Sequence, residues 1–65
     1  MLIDHIDRII LRFLFMHHGW VNSNQIAEKV GIAWLTAKRH LERLSKQGYV
    51  VKGRGGSSTY WRINQ

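Results

Sequence analysis

The sequence predicts one small α+β domain with three helices, a short strand and a C-terminal β-hairpin. Its 65 residues leave room for a single domain, so we assign residues 1–65 to it. Apolar residues recur at helical spacing over most of the chain before Gly48. After Gly48 the spacing changes to the alternation that is typical of strands, in two runs separated by GGSS.

The composition excludes several classes of protein. The chain has no cysteine, which excludes disulfides and cysteine-based zinc sites and fits a reducing cell interior. No apolar run approaches the roughly 20 residues that a membrane-spanning helix needs. Asp4 and Asp7 stand where a secretion signal needs positive charge. We therefore expect a cytoplasmic protein with no membrane partner.

The first predicted helix covers residues 2–18, and Gly19 ends it as glycine commonly does at a helix C-terminus. Its apolar face consists of Leu2, Ile3, Ile6, Ile9, Ile10, Phe13, Met16 and His17. Its polar face consists of Asp4, Asp7, Arg8 and Arg12. This separation of faces predicts an amphipathic helix that packs on a core.

Two apolar residues, Leu11 and Phe15, interrupt the polar face of this helix. They are four residues apart, so their side chains lie next to each other on the helix surface. Either another part of the chain covers them, or they contact a second copy of the chain in a homodimer. The sequence favours neither explanation over the other.

The second predicted helix follows the short extended segment WVN and is only about two turns long. Asn22 is a good N-cap, and Gln25 stands three residues later at the capping-box position. Gly31 is expected to end the helix.

The third predicted helix covers residues 33–47 and ends at Gly48. Its buried face is predicted to be Ala37, Leu41 and Leu44. Its opposite face is polar and basic, and carries Leu35, Arg39, Glu42 and Lys46, with Lys38 and Arg43 beside them.

The last part of the chain reads as a hairpin in which GGSS joins YVVKGR to TYWRIN. Glycine is expected to supply the positive φ that such a turn requires. Thr59, Trp61 and Ile63 alternate onto one face, which we assign to the core.

Positive charge is concentrated in the second half of the chain. The formal net charge is +6. Residues 1–28 carry two arginines against three acidic residues, whereas residues 29–65 carry eight basic residues against Glu42 alone. This asymmetry favours a polyanionic partner.

Two segments, VNSNQIAEKVGIAWLTAKRHLERLSKQGYVVKGR and STYWRIN, resemble the winged helix-turn-helix DNA-binding domains of bacterial and archaeal transcription regulators. QIAEKVGI, TAKRHLERL and QGYV are the segments most like that family, and the resemblance covers nearly the whole chain. The chain departs from the family at Ala33, where many members have a Ser or Thr cap that is worth about 1 kcal/mol. It also lacks the cysteine pairs through which some members sense metals.

The resemblance implies that helix 33–47 enters the major groove of double-stranded DNA and that the hairpin, the wing at 52–62, contacts the backbone or the minor groove. The residues expected to face DNA come from the second helix, the third helix and the wing. They are Ser23, Asn24, Trp34, Leu35, Thr36, Lys38, Arg39, Arg43, Lys52, Arg54, Ser57 and Ser58.

Several of these residues have a second interpretation. Arg39 contacts either guanine or a phosphate, and Thr36 either contacts DNA or packs on the second helix. Leu35 has a suitable partner in the thymine methyl group, whereas Trp34 is as readily structural as functional. For Glu42 we expect pairing with Lys46 and Lys38 along the helix rather than contact with cytosine.

No residue pattern indicates an enzyme, a cofactor or a small-molecule ligand. His17 and His18 are adjacent in a helix and point about 100° apart, so they do not form a metal site. GRGGSS lacks the strand-then-helix context of a phosphate-binding loop.

The expected function is that of a small transcription regulator, cytoplasmic and associated with the nucleoid. One alternative is a protein-interaction module of a larger assembly, with Trp34 and Leu35 as its anchors. A second alternative is a nonspecific architectural or replication-associated DNA-binding protein.

Overall fold

The first helix begins with a pair of aspartates that cap each other. The computed structural model describes residues 3–64, and α1 spans His5–Met16. The carboxylate of Asp4 accepts from the backbone N–H of Asp7 at 2.8 Å, and the carboxylate of Asp7 accepts from the N–H of Asp4 at 3.2 Å. This reciprocal arrangement satisfies two N–H groups that have no partner within the helix. Leu2, which we placed in this helix, lies outside the described residues.

The buried face of α1 differs from the predicted one. Asp7 was assigned to the polar face, but its side chain is fully buried. Leu14, absent from the predicted apolar face, is buried, while Met16 is 71% exposed. The prediction failed because helical periodicity treats a carboxylate as a surface group, and it contains no information about a distant cation that neutralises it.

The end of α1 also differs from the prediction. The helix stops at Met16, and His17 is its C-cap in an extended conformation. Gly19 has a φ of 109° but lies beyond the cap, in the turn toward the sheet. It therefore redirects the chain rather than ending the helix.

The second helix has the predicted caps. After β1, Val21–Asn22, α2 spans Ser23–Val30. The Asn22 side chain accepts from the N–H of Gln25 at 2.9 Å, and the Gln25 side chain accepts from the N–H of Asn22 at 3.4 Å. Gly31 ends the helix in the left-handed region. The capping box and the terminal glycine are thus confirmed.

The third helix, α3, spans Trp34–Lys46 and buries Ala37, Leu41 and Leu44, as predicted. Ala33 provides no side-chain cap. At the other end, Gly48 has a φ of 85°. The N–H groups of Gly48 and Tyr49 bind the carbonyls of Ser45 and Leu44 at 3.1 and 3.0 Å, which is the Schellman arrangement of a helix C-terminus.

The predicted hairpin is confirmed and forms part of a three-stranded antiparallel sheet. β2 spans Val50–Gly55 and β3 spans Ser58–Ile63, and the strand order is β1-β3-β2. The two-residue connection contains Gly56 with a φ of 61°. Trp61 of β3 is fully buried against the helices, and its Nε1 donates to Ser23 Oγ at 2.8 Å.

The core lies between the helices and the inner face of the sheet. Its buried members are Ile10, Leu14, Val21, Ile26, Leu41, Leu44, Val50 and Trp61. Each of the three helices and each of the three strands thus contributes at least one residue to a single hydrophobic cluster. Within residues 3–64, no helix combines the length and apolar character needed to cross a bilayer.

The buried Asp7 carboxylate connects α1 to α3. One oxygen lies 2.7 Å from Nδ1 of His40, and the other accepts from Nη2 of Arg43 at 2.6 Å. Arg43 also reaches Asp4 at 3.3 Å. The backbone N–H of Asp7, followed by the charges of His40 and Arg43, lowers the pKa of Asp4, and the hydrogen bond to Asp7 raises the pKa of Arg43.

Replacing Asp7 is expected to destabilise the fold severely. Asp7→Ala leaves His40 and Arg43 without their buried partner and removes half of the α1 capping box, so we expect a loss of about 3–5 kcal/mol in the free energy of unfolding. Urea unfolding followed by far-UV circular dichroism measures this. Glu28→Ala, a change at an exposed acidic residue of α2, is the control and is expected to alter stability by less than about 0.5 kcal/mol. Equal effects of the two substitutions would contradict the assigned role of Asp7.

Candidate nucleic-acid interface

The exposed face of α3 forms a shallow groove of about 420 Å³. It is lined by Leu35, Lys38, Arg39, Glu42, Arg43 and Lys46. These residues follow one another at helical spacing, so their side chains form a row along the helix. Leu35 is 49% exposed at the N-terminal end of this row. The groove therefore presents one apolar group followed by mostly basic ones.

A second concavity, a polar cleft of about 290 Å³, lies where α2, α3 and the hairpin tip meet. It is lined by Asn22, Ser23, Asn24, Trp34, Lys38, Ser57, Ser58 and Thr59. The first N–H groups of a helix have no intrahelical partners, and the start of α2 borders this cleft. Small hydroxyl and amide side chains with one lysine make the cleft suitable for a phosphate oxygen.

Lys38 lies at the junction of the groove and the cleft, and lines both. Its ammonium nitrogen is 5.2 Å from the centroid of the Trp34 ring, within the range of a cation–π contact. The Trp34 side chain is 48% exposed and does not enter the core. Trp34 thus contacts Lys38 of its own helix and leaves about half of its side chain exposed.

Two of the basic side chains expected to face DNA form ion pairs with carboxylates of the same chain. Arg43 binds Asp7 and Asp4, as described above. Lys52 Nζ lies 2.8 Å from Oε2 of Glu42. The predicted pairing of Glu42 along α3 is therefore wrong, because β2 runs beside α3 and brings a lysine from another element closer to the carboxylate.

The remaining predicted site residues divide into three groups. Asn24, Ser57 and Ser58 are exposed around the cleft, and Thr36 and Arg39 are exposed on α3. Ser23 borders the cleft, but its side chain is buried and its hydroxyl accepts from Trp61. Arg54 lies in neither concavity, since it lines a separate surface groove with Trp20, Gly53 and Tyr60.

Sequence reasoning missed the cluster of Asp4, Asp7 and His40, whose ligand atoms lie within 4.8 Å of one another, a spacing that would suit a metal ion. The guanidinium of Arg43 already binds both carboxylates, so a cation of the chain itself is already present at this cluster. Two local signals pointed to this cluster: aspartates at the N-cap and N3 positions of α1, and His40 and Arg43 one turn apart on α3.

A family model described as winged helix-turn-helix DNA-binding matches residues 3–51. A search of curated proteins finds no match. Among solved structures, the chain is similar to the Zalpha domain of Carassius auratus PKZ, solved in complex with Z-DNA. The identity is 26%, the TM-score is 0.79, and the match covers 89% of this chain and 90% of that one.

Two further structures share the fold. One is the homodimeric winged helix-turn-helix DNA-binding domain Mb0332 from Mycobacterium bovis, a possible ArsR-family transcriptional regulator, at 29% identity and a TM-score of 0.83. That match covers 95% of this chain and 56% of that fragment. The other is the antimony-specific transcriptional repressor AntR, at 21% identity and a TM-score of 0.85, over 95% of this chain and 55% of that one.

The ion pair between Glu42 and Lys52 is expected to withhold one positive charge from a bound duplex. Glu42→Gln removes the carboxylate and frees Lys52, so the plot of log affinity for duplex DNA against log salt concentration is expected to steepen by about 0.9. A fluorescence anisotropy titration at several salt concentrations measures this slope. Glu28→Gln removes the same charge from α2, outside the groove and the cleft, and is expected to leave the slope unchanged. Identical slopes for the two variants would show that releasing Lys52 from Glu42 adds no contact to a DNA phosphate.

Proposed function

The chain belongs to the winged helix-turn-helix DNA-binding family, and from that premise we propose that it is a small transcription regulator. In this proposal α3 lies in the major groove of double-stranded DNA and the hairpin lies on the backbone or in the minor groove. The observation that carries the proposal is that the α3 groove and the polar cleft meet at Lys38, so helix and hairpin border one continuous surface.

The dimensions of α3 support this placement. A helix of 13 residues is about 20 Å long and, with its side chains, about 10–12 Å across. The major groove of B-DNA is about 12 Å wide and admits one helix. Because the core side of α3 is fully packed, the row from Leu35 to Lys46 is the side of the helix that faces the bases.

The chemistry of that row assigns a role to each side chain. Leu35 has the apolar surface that contacts a thymine methyl group, and Arg39 has the planar fork that binds guanine O6 and N7. Within residues 3–64, neither Lys38 nor Lys46 forms an ion pair, so their ammonium groups are available to phosphates. In the polar cleft, the start of α2 and the hairpin serines hold a backbone phosphate and so set the register of α3.

A homodimer suits this function, since two half-sites raise both affinity and specificity. The M. bovis relative is described as homodimeric. On α1, Phe15 is 60% exposed, whereas Leu11 is partly buried against the core of its own domain. We assign the dimer contact to this pair, with Phe15 as the main contact. The proposal requires no cofactor and no enzymatic activity, and locates the protein in the cytoplasm, on the nucleoid.

A second candidate function is that of a protein-interaction module. Trp34 and Leu35 are neighbours at the start of α3, and each is about half exposed. Aromatic and apolar residues of this kind anchor protein interfaces. A complete lack of duplex binding at roughly 50 mM salt, where phosphate contacts are strong, would favour this function over DNA binding.

Arg39→Ala is expected to reduce affinity for the preferred DNA sequence by about 1–3 kcal/mol, because a bidentate contact to guanine is lost. The preferred sequence is first obtained by selection from a random duplex pool. Anisotropy titrations then compare that duplex with a random one, for which the loss is expected to be smaller.

Arg12→Ala is the matched control, since Arg12 is an exposed arginine on α1 that lines neither the groove nor the cleft. It is expected to leave both affinities nearly unchanged. If Arg39→Ala weakens binding to the selected and the random duplex equally, Arg39 contacts phosphate rather than a base.

Phe15→Asp is expected to convert a homodimer into a folded monomer. The substitution places a charge in the apolar contact between the two copies, which disfavours the dimer. The fold of each copy is expected to persist, because the Phe15 side chain is 60% exposed in the isolated chain. Sedimentation equilibrium without DNA measures the change. Leu35→Asp makes the same change on α3 and is expected to preserve the dimer. A parent chain that is already monomeric at tens of micromolar would refute the proposed interface.

A further inference from the structure

The outer face of the sheet carries an aromatic and basic surface that lines neither the α3 groove nor the polar cleft. Strand register places Tyr60 opposite Asn22 on one side and Gly53 on the other, facing away from Trp61 and the core. Trp20, just before β1, is 47% exposed. Its ring lies over Gly53, where a Cβ atom would be only 2.7 Å from ring carbon Cζ3. Glycine at this position is therefore what allows the ring to approach the strand this closely.

Trp20 and Tyr60 border a groove of about 400 Å³ with Gly53 and Arg54. A second arginine is close, since the guanidinium carbon of Arg62 is 5.1 Å from the centroid of the Trp20 ring. Two aromatic rings and two arginines thus lie together. We refer to Trp20, Gly53, Arg54, Tyr60 and Arg62 as the outer-face site.

In the part of the chain that the structure describes, no carboxylate pairs with the two arginines of the outer-face site, which therefore carries a net positive charge. Within residues 3–64, neither Arg54 nor Arg62 takes part in an ion pair. Three of the four acidic residues of the chain are paired elsewhere, with His40, Arg43 or Lys52. The fourth, Glu28, does not line the groove.

We propose that the outer-face site binds single-stranded nucleic acid. Exposed bases have open π-faces that stack on aromatic rings, and their phosphates pair with nearby arginines. In a duplex the base faces are already stacked on each other, so the rings of Trp20 and Tyr60 have no comparable partner there. A polyanion that also carries flat apolar rings is the class of ligand that matches both features.

The outer-face site adjoins the proposed duplex interface at the hairpin, where Arg54 belongs to both. Its groove shares no lining residue with the α3 groove or the polar cleft. The inference does not rest on the proposed regulator function, because base stacking depends on Trp20 and Tyr60, whereas duplex binding depends mainly on the α3 groove and the polar cleft. One chain can therefore hold a duplex on α3 and a single strand on the sheet.

The test uses fluorescein-labelled oligothymidylate of about 12 nucleotides, a length suited to a short stacking site, in anisotropy titrations with the full chain. Tyr60→Leu removes a stacking surface and is expected to weaken binding about tenfold, whereas Tyr60→Phe keeps the ring and is expected to bind within about twofold of the parent. Trp20→Leu is the second variant and is expected to behave like Tyr60→Leu. Circular dichroism verifies that each variant is folded.

Two controls separate this site from the duplex interface and from simple charge attraction. Arg39→Ala is expected to leave oligothymidylate binding unchanged, while Tyr60→Leu, which alters no residue of the α3 groove or the polar cleft, is expected to weaken duplex binding much less than oligothymidylate binding. An abasic strand of the same length is expected to bind about tenfold more weakly than oligothymidylate, since it lacks bases to stack.

Four results would overturn the proposal. They are the absence of saturable oligothymidylate binding, equal affinity for the abasic strand, a loss caused by Arg39→Ala but not by Tyr60→Leu, and unchanged binding by both leucine variants. A change in sedimentation of the leucine variants, with unchanged oligothymidylate binding, would instead identify the outer face as a contact between copies of the chain.

Discussion

The buried carboxylate of Asp7 is the interaction on which the orientation of α3 depends. A charge removed from water must be paired, and here the partners are His40 and Arg43 of α3. The same carboxylate also completes the cap of α1. Because one group serves both purposes, the start of α1 is held against one flank of α3. The opposite flank of α3, with Leu35 and Arg39, is thereby left open to a ligand.

Internal ion pairs decide which basic residues are available to a polyanion. Asp4 and Asp7 bind Arg43, and Glu42 binds Lys52. The excess of positive charge in the second half of the chain is therefore not spread evenly over its surface. On α3 it is concentrated at Lys38, Arg39 and Lys46, which line the open groove and form no ion pair within the described residues.

The sheet separates two kinds of aromatic chemistry. Trp61 faces the helices, is fully buried, and its indole Nε1 donates to Ser23 Oγ. Trp20 and Tyr60 face outward beside Arg54 and Arg62. Alternation along β3 places Tyr60 and Trp61 on opposite faces, so neighbouring aromatic residues have different roles. Gly53 completes the outer surface, because its missing side chain leaves space for the Trp20 ring.

Features governed by near neighbours in the chain were predictable. The caps at Asn22, Gly31 and Gly48, the buried face of α3 and the glycine turn of the hairpin follow from local hydrogen bonding and from periodicity, and the structure has all of them. The resemblance of residues 21–54 and 58–64 to a known family likewise identified the fold.

Features governed by distant partners were not predictable. Asp7 was assigned to the surface because its partners are more than 30 residues away. Glu42 was assigned to lysines of its own helix, although packing brings Lys52 of β2 closer to it. A carboxylate binds the nearest cation in space, and periodicity specifies only which face of a helix a residue occupies. Which charges are buried, paired or free is therefore a property of how the elements pack together.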